Sequence, residues 1–307
     1  MILNQHNLNA LFNGFRTVFN DAFRAAPTYY AEIASIVNSD SRDETYGWLG
    51  EFPSLREWIG DRHIKSLAAH SYNIRNKKFE LTFSVSREDI EDDKYGTFSP
   101  LIGEMAYAAA GHPDELIFQI LNNGFAEKGY DGVPFFSDAH PIEMNDSTAG
   151  TASNVTAGSG PAWYLLDASR PLRPLIFQKR VDYSFDRLDQ PNDENVFRRD
   201  ELMFGIRARC SAGFGLWQFA HGSKADLTPA NYAAARAAMR GLRGRGGRPM
   251  GIKPTHLVVP PALEEAAQQI VAGATKLVEA ADGTPVTSVS NTWVGSAKVI
   301  VSEWLAA

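Results

Sequence analysis

An α+β fold follows from three observations of this sequence. A Phe-rich helical stripe opens the chain, a strictly alternating run occupies 79–85, and the second half mixes short β-branched runs with Ala-rich helical stretches. The 307 residues suffice for one large domain or two modest ones with a real core. The element order suggests a helix–strand spine region and a second subdomain at about 205–290.

In chain order, Leu8, Leu11, Phe12, Phe15, Phe19 and Phe23 recur at three- and four-residue steps, and Pro27 ends the helix. Such a stripe either packs on its own core or docks as an arm on a neighbouring chain. Each buried Phe is worth about 1.5–3 kcal/mol, and periodicity does not separate the two outcomes. Residues 46–62 are aromatic and turn-rich, an irregular connection. Tyr72 and Ile74, then Phe79, Leu81, Phe83 and Val85, alternate with polar neighbours, with Arg75-Asn76-Lys77-Lys78 between them as a turn. This predicts a projecting hairpin with one apolar face, which must lie on something because two strands alone are marginal.

The acidic run Glu88, Asp89, Glu91, Asp92, Asp93 predicts a solvated face. Ser99-Pro100 starts a helix, Pro113 kinks or breaks it, and Asn122-Asn123-Gly124 closes it; if only kinked, it is the spine of the molecule. Residues 144–160, nearly uncharged and rich in small residues, predict an exposed loop or insertion. Strands are expected at 172–178, 181–186, 202–209, 256–259 and 299–301. Helices are expected at 229–240, capped by Thr228 and stopped by Gly241, and at 261–272.

Composition narrows function. Thirty Lys and Arg against 36 Asp and Glu leave a net charge of -6, which argues against nucleic acid as the main ligand. The single Cys210 excludes an internal disulfide framework and a thiolate metal cage, and fits a reducing compartment. No signal peptide and no bilayer-length apolar run is present, so a soluble cytoplasmic product is expected, without membrane contact. Phosphate-loop, dinucleotide, nucleophile-elbow and zinc-protease motifs are absent, and no cofactor or metal is expected. Two clusters merit weighing. Ser137, Asp138 and His140 suggest a hydrolase or metal pair, against a turn satisfying local backbone groups, because triads converge from distant positions. Arg236, Arg240, Arg243, Arg245, Arg248 and Lys253, interleaved with glycines, suggest a flexible strip contacting phosphate or an acidic protein partner, with RNA as a further reading for 243–248, against a solvated loop without aromatics for stacking.

Several blocks then carry a resemblance: Phe12-Asn-Gly-Phe-Arg-Thr-Val-Phe19, the 47–62 stretch, 79–89, Tyr130-Asp-Gly-Val-Pro-Phe-Phe-Ser-Asp-Ala-His-Pro141, Trp163-Tyr-Leu-Leu-Asp167, Pro174-Leu-Ile-Phe-Gln178, Gly213-Phe-Gly-Leu-Trp-Gln-Phe-Ala220 and Pro254-Thr-His-Leu-Val-Val-Pro-Pro261. In order along nearly the whole chain, they resemble the major head subunit of Mu-like phages and prophages, the gpT type. The resemblance implies the capsid fold of tailed phages, the Hong Kong 97 type. It implies an N-terminal arm at 1–60, an E-loop hairpin at 61–98, and a peripheral domain with spine helix and inserted loop at 99–204. An axial domain at 205–290 and a C-terminal return strand at 291–307 complete the plan.

The same resemblance implies a non-enzymatic protein that self-assembles into pentamers and hexamers of an icosahedral shell around double-stranded DNA, without sequence-specific contact. It would be made in the bacterial host cytoplasm and carried in the virion. Its partners would be further copies of itself, a separate scaffold and maturation protease, a portal and decoration proteins. No pair aligns with the fold's Lys–Asn crosslink, although Asn76 and Lys77 lie at the expected tip. Contacts between copies are expected at Leu8, Phe12, Phe15, Phe19, Phe79, Phe83, Arg243, Arg245 and Arg248, from the apolar stripes and the Arg/Gly loop. The alternatives are an encapsulin-like compartment shell and, lower, the Ser137/Asp138/His140 hydrolase.

Overall fold

In the computed structural model, residues 5–47, 49, 72–92, 96–145, 148–190, 193–244, 247–279 and 285–305 are described. The first half contains α1 (Gln5–Ala25), α2 (Tyr30–Ile33), β1 (Ala34–Asn38), β2 (Asp43–Tyr46), β3 (Tyr72–Arg75), β4 (Lys77–Ser86), α3 (Arg87–Asp92) and α4 (Phe98–Asn123). Then come β5 (His140–Asn145), β6 (Thr148–Ala152), β7 (Val155–Thr156), β8 (Trp163–Leu166), β9 (Leu175–Leu188), α5 (Glu194–Arg199) and β10 (Glu201–Phe214). The chain ends with β11 (Ala220–Ser223), α6 (Pro229–Gly241), β12 (His256–Val259), α7 (Glu264–Val271), β13 (Thr275–Glu279), β14 (Pro285–Ser290) and β15 (Lys298–Val301).

Two sheets organise these elements. The first has the order β1-β9-β10-β4, with β1 parallel to β9 and the other pairs antiparallel. The second has the order β15-β12-β8-β11-β7. The spine is one continuous helix: α4 runs 26 residues through Pro113, about 39 Å at 1.5 Å per residue. Its inward face carries Ile102, Met105, Ala106, Ala109, Ile117, Phe118 and Leu121, all buried. The N-terminal half of this face packs with α1 and the 185–206 end of the β9–β10 pair. The C-terminal half packs with Leu175, Phe177, Phe214 and Trp217. The second sheet is covered by Tyr232, Ala235 and Met239 of α6 and by Ala267, Ile270 and Val271 of α7. As expected, α6 is capped by the Thr228 hydroxyl, which accepts the Asn231 amide at 3.2 Å.

Three expectations are corrected. The 72–85 hairpin does not form: β3 pairs with β2, whereas β4 pairs with β10 over ten residues, Lys77↔Cys210 to Ser86↔Glu201. Between them stands Asn76, buried. Its amide nitrogen donates to Ser39 Oγ at 2.8 Å and to the Ser41 carbonyl at 3.0 Å, while its side-chain oxygen accepts from Gln178 Nε2 at 2.9 Å. That anchoring sends the chain from one sheet into another where a turn was expected. Residues 144–160 are not simply a loop, since β5 and β6 pair and β7 joins the second sheet. The strands expected at 172–178 and 181–186 are one 14-residue strand, β9, with an irregular ladder opposite Arg209. Strand β10 continues across 204/205, and β8 and β15 join β11 and β12 in the second sheet from outside 205–290. Residues 48 and 50–71, most of the aromatic connection, lie outside the described residues.

Candidate assembly surfaces

The apolar stripe of α1 is occupied within its own chain. Leu8, Phe15 and Phe19 are 6, 3 and 2% exposed. Phe12 and Phe19 stack on Phe185 with centroids 5.6 and 5.3 Å apart, and Phe15 meets Phe204 edge-on at 5.5 Å. The guanidinium of Arg187 lies 4.4 Å over Phe12 and donates to the Leu8 carbonyl at 3.1 Å. Phe79 packs edge-on against His112 at 4.2 Å, and Phe83 stacks on Phe204 at 5.5 Å. Leu8, Phe15 and Phe19 are thus buried in one subunit's own core, whereas Phe12, Phe79 and Phe83 pack against it half-buried and Leu81, on the same strand face, is 43% exposed.

The hydrolase cluster comes apart. His140 is fully buried, stacked at 3.9 Å on Trp217, with Nδ1 2.6 Å from Asp131 Oδ2 and Nε2 3.0 Å from Asn154 Oδ1. The Asn154 amide nitrogen donates to the Phe135 and Trp217 carbonyls, which fixes its oxygen toward the ring. His140 Nε2 therefore donates to Asn154 Oδ1, and Nδ1 faces the Asp131 carboxyl. Ser137 Oγ accepts the Ala139 amide at 3.2 Å, and Asp138 is exposed. No nucleophile meets a base, and His140 is a packing pivot. Among the described residues, no cluster of His, Cys, Asp or Glu is arranged to hold a metal ion.

The basic strip also divides. Arg236 is a buttress: it donates to Tyr232 Oη, the Pro254 carbonyl and the Ser296 carbonyl at 3.0–3.2 Å and lies over the Tyr232 and Trp293 rings. Arg243 and Arg248 are exposed on a tight loop closed by Gly244 N–H to the Arg248 carbonyl at 2.9 Å, with Arg243 donating to the Gly247 carbonyl. Arg245 lies outside the described residues.

Some apolar side chains remain on the surface: Phe197 of α5, 84% exposed, Leu188 at the end of β9, and Leu101 and Tyr107 of α4. Phe197 sits at the tip of the long β9–β10 ribbon, a position no helical or strand period could reveal. Among the described residues, no helix is long and apolar enough to cross a membrane.

A long spine helix laid across a mixed sheet, a second sheet-built unit and an extended ribbon are the architecture of a shell subunit with the tailed-phage capsid fold. Residues 8–305 match the family described as Mu-like prophage major head subunit gpT, and the chain belongs to that family. It is 42% identical to the "Major capsid protein" of Escherichia phage Mu over 99% of this chain and 100% of that one. The solved procapsid of bacteriophage JBD30 contains a subunit that is 43% identical, with a TM-score of 0.85, covering 99% of this chain and 100% of that one. The JBD30 capsid "decorated with minor capsid protein trimers" gives 32% identity and a TM-score of 0.74 over 92% of each chain. The protein is a major capsid subunit of the virion. The encapsulin-like and hydrolase alternatives are not supported.

Proposed function

We propose that copies of this chain close into rings of five and six and then into an icosahedral shell that encloses double-stranded DNA. The full-length likeness to a procapsid subunit carries this reading. The acidic balance supports it too, because a wall confines DNA without gripping it. In this plan 1–60 serve as the arm, 61–98 as the E-loop, 99–204 as the peripheral domain, 205–290 as the axial domain and 291–307 as the return strand. Scaffold, maturation protease and portal are separate proteins, and minor proteins decorate the outside, as in the JBD30 particle. Many modest contacts between copies then sum to a durable wall.

Electron microscopy of the full chain produced with its scaffold tests the proposal. Closed icosahedral particles are expected, and a strictly monomeric product under those conditions would overturn it.

A further inference from the structure

A cavity of about 470 Å³ opens where β2, β3, β4 and β10 meet, lined by Arg42, Arg75, Asn76, Lys78 and Arg209. Four of its five lining residues are cations. Lys78 and Arg209 stand directly opposite each other in the β4–β10 register, an arrangement that costs stability when like charges face without an anion. Arg209 Nε is buried with no acceptor, and a buried donor left unpaired is unfavourable. Among the described residues, the neighbouring carboxylates supply little compensation. Asp43 reaches only Arg75, at 3.9 Å on the exposed rim. Glu44 is taken up by Ser39 Oγ and the Asp40 and Ser41 amides at 2.9–3.1 Å. The floor is rigid: Asn76 is held by Ser39, Ser41 and Gln178, and Gln178 in turn accepts the Tyr46 hydroxyl at 2.8 Å.

At the other end of β4 the charge is reversed. Helix α3 buries Ile90 and exposes Glu88, Asp89 and Asp92, and among the described residues no cation is bonded to these three carboxylates. Glu91, by contrast, is held by Arg87 at 3.1 Å. The strand from Lys78 to Ser86 spans about 26 Å at 3.3 Å per residue, so the two uncompensated patches of one subunit cannot neutralise each other.

We infer that the Arg42/Arg75/Lys78/Arg209 cavity is a carboxylate-binding site for the α3 face of a second copy of this chain. Complementary, non-identical patches at opposite ends of one strand make a heterologous contact, the kind that closes rings of identical subunits. Bidentate acceptance from the arginines suits carboxylates, and the net charge of -6 makes acidic segments of sibling copies abundant partners. The inference rests on the shell-building reading and adds the pair of surfaces that meet.

The test is a disulfide trap between two exposed positions in the full-length chain, Lys78→Cys and Asp89→Cys, the native Cys210 being buried. Mixed under mild oxidation, the two single variants are expected to give a cross-linked dimer at least five-fold more abundant than either gives alone. Adding Arg42→Glu to the Lys78→Cys partner should lower that yield several-fold. A mixture giving no more dimer than the separate variants overturns the contact, as does a yield untouched by Arg42→Glu. The same holds if Arg42→Glu abolishes retention of a duplex oligonucleotide while the trap stays silent, because the cavity then serves nucleic acid. Wild-type particles seen in the microscope alongside a silent trap would show that the shell forms through other surfaces.

Discussion

The carboxylate of Asp114, midway along the spine helix, accepts the backbone amides of Tyr29 at 2.9 and 3.0 Å and of Tyr30 at 2.6 Å. It thereby pins the segment that follows α1 to the middle of α4, where Tyr30 packs on Phe177. Burial pushes the Asp114 carboxyl above its ordinary value, against the opposing pull of those amides. Asp114→Ala leaves two amides without their acceptor. A loss of about 1–3 kcal/mol is expected, with Asp114→Asn losing less, read from urea unfolding of the subunit.

Phe19 is sandwiched by Phe23 and Phe185 and is 2% exposed. Phe19→Ala should therefore cost the subunit roughly 3–5 kcal/mol, and Phe15→Asp with Phe19→Asp should abolish soluble folded protein. The stripe then serves the subunit's own core, one of the two outcomes that its periodicity leaves open. An unchanged urea midpoint together with lost particles would restore the docking-arm view.

What could be seen in the sequence was whatever depends on near neighbours. Helix α6 was legible because Thr228, Pro229 and the Ala run act within a few residues, and α4 because Ser99-Pro100 and its apolar period are local. The alternation at 79–85 correctly marked a strand with one apolar face. It said nothing of its partner, β10, which lies more than a hundred residues away. Residues 144–160 read only as an exposed loop or insertion because small side chains carry little pattern, although the backbone pairing of β5, β6 and β7 needs none. The basic cavity was invisible for the same reason: Arg42, Arg75, Lys78 and Arg209 converge only through the pairing of β2 with β3 and of β4 with β10.

His140 and Asp131 face each other inside the core, so removing either side chain leaves the other without that partner, and removing His140 also takes the ring N–H from Asn154 Oδ1. His140→Ala is expected to destabilise by about 3–5 kcal/mol, the usual cost of breaking a buried pair. His140→Phe, which keeps the ring on Trp217, should recover part of the stacking but not the pairing. Thermal unfolding of the three proteins checks this. A His140→Ala subunit with wild-type stability would mean that the ring's two polar contacts contribute nothing to the core.

His221 gives the subunit an acid limit. Its Nε2 lies 2.8 Å from Thr156 Oγ1, its Nδ1 is buried without a partner, and desolvation pushes the ring down to about 4. The ring is therefore neutral in the folded chain, whereas in the unfolded chain it gains a proton near its usual value of about 6.5. This contribution is complete above that value. It is lost as pH falls from there toward 4, because only the unfolded chain binds the proton. Between pH 7 and about pH 5 the single group should lower stability by roughly 2 kcal/mol. Burial lowers His112 and His256 as well, so they add in the same direction. His221→Gln removes the titration at this site and should flatten the pH dependence by that amount, measured as urea midpoints at the two pH values. Equal slopes for wild type and variant would mean that the His221 ring takes up its proton as readily in the folded subunit as in the unfolded chain.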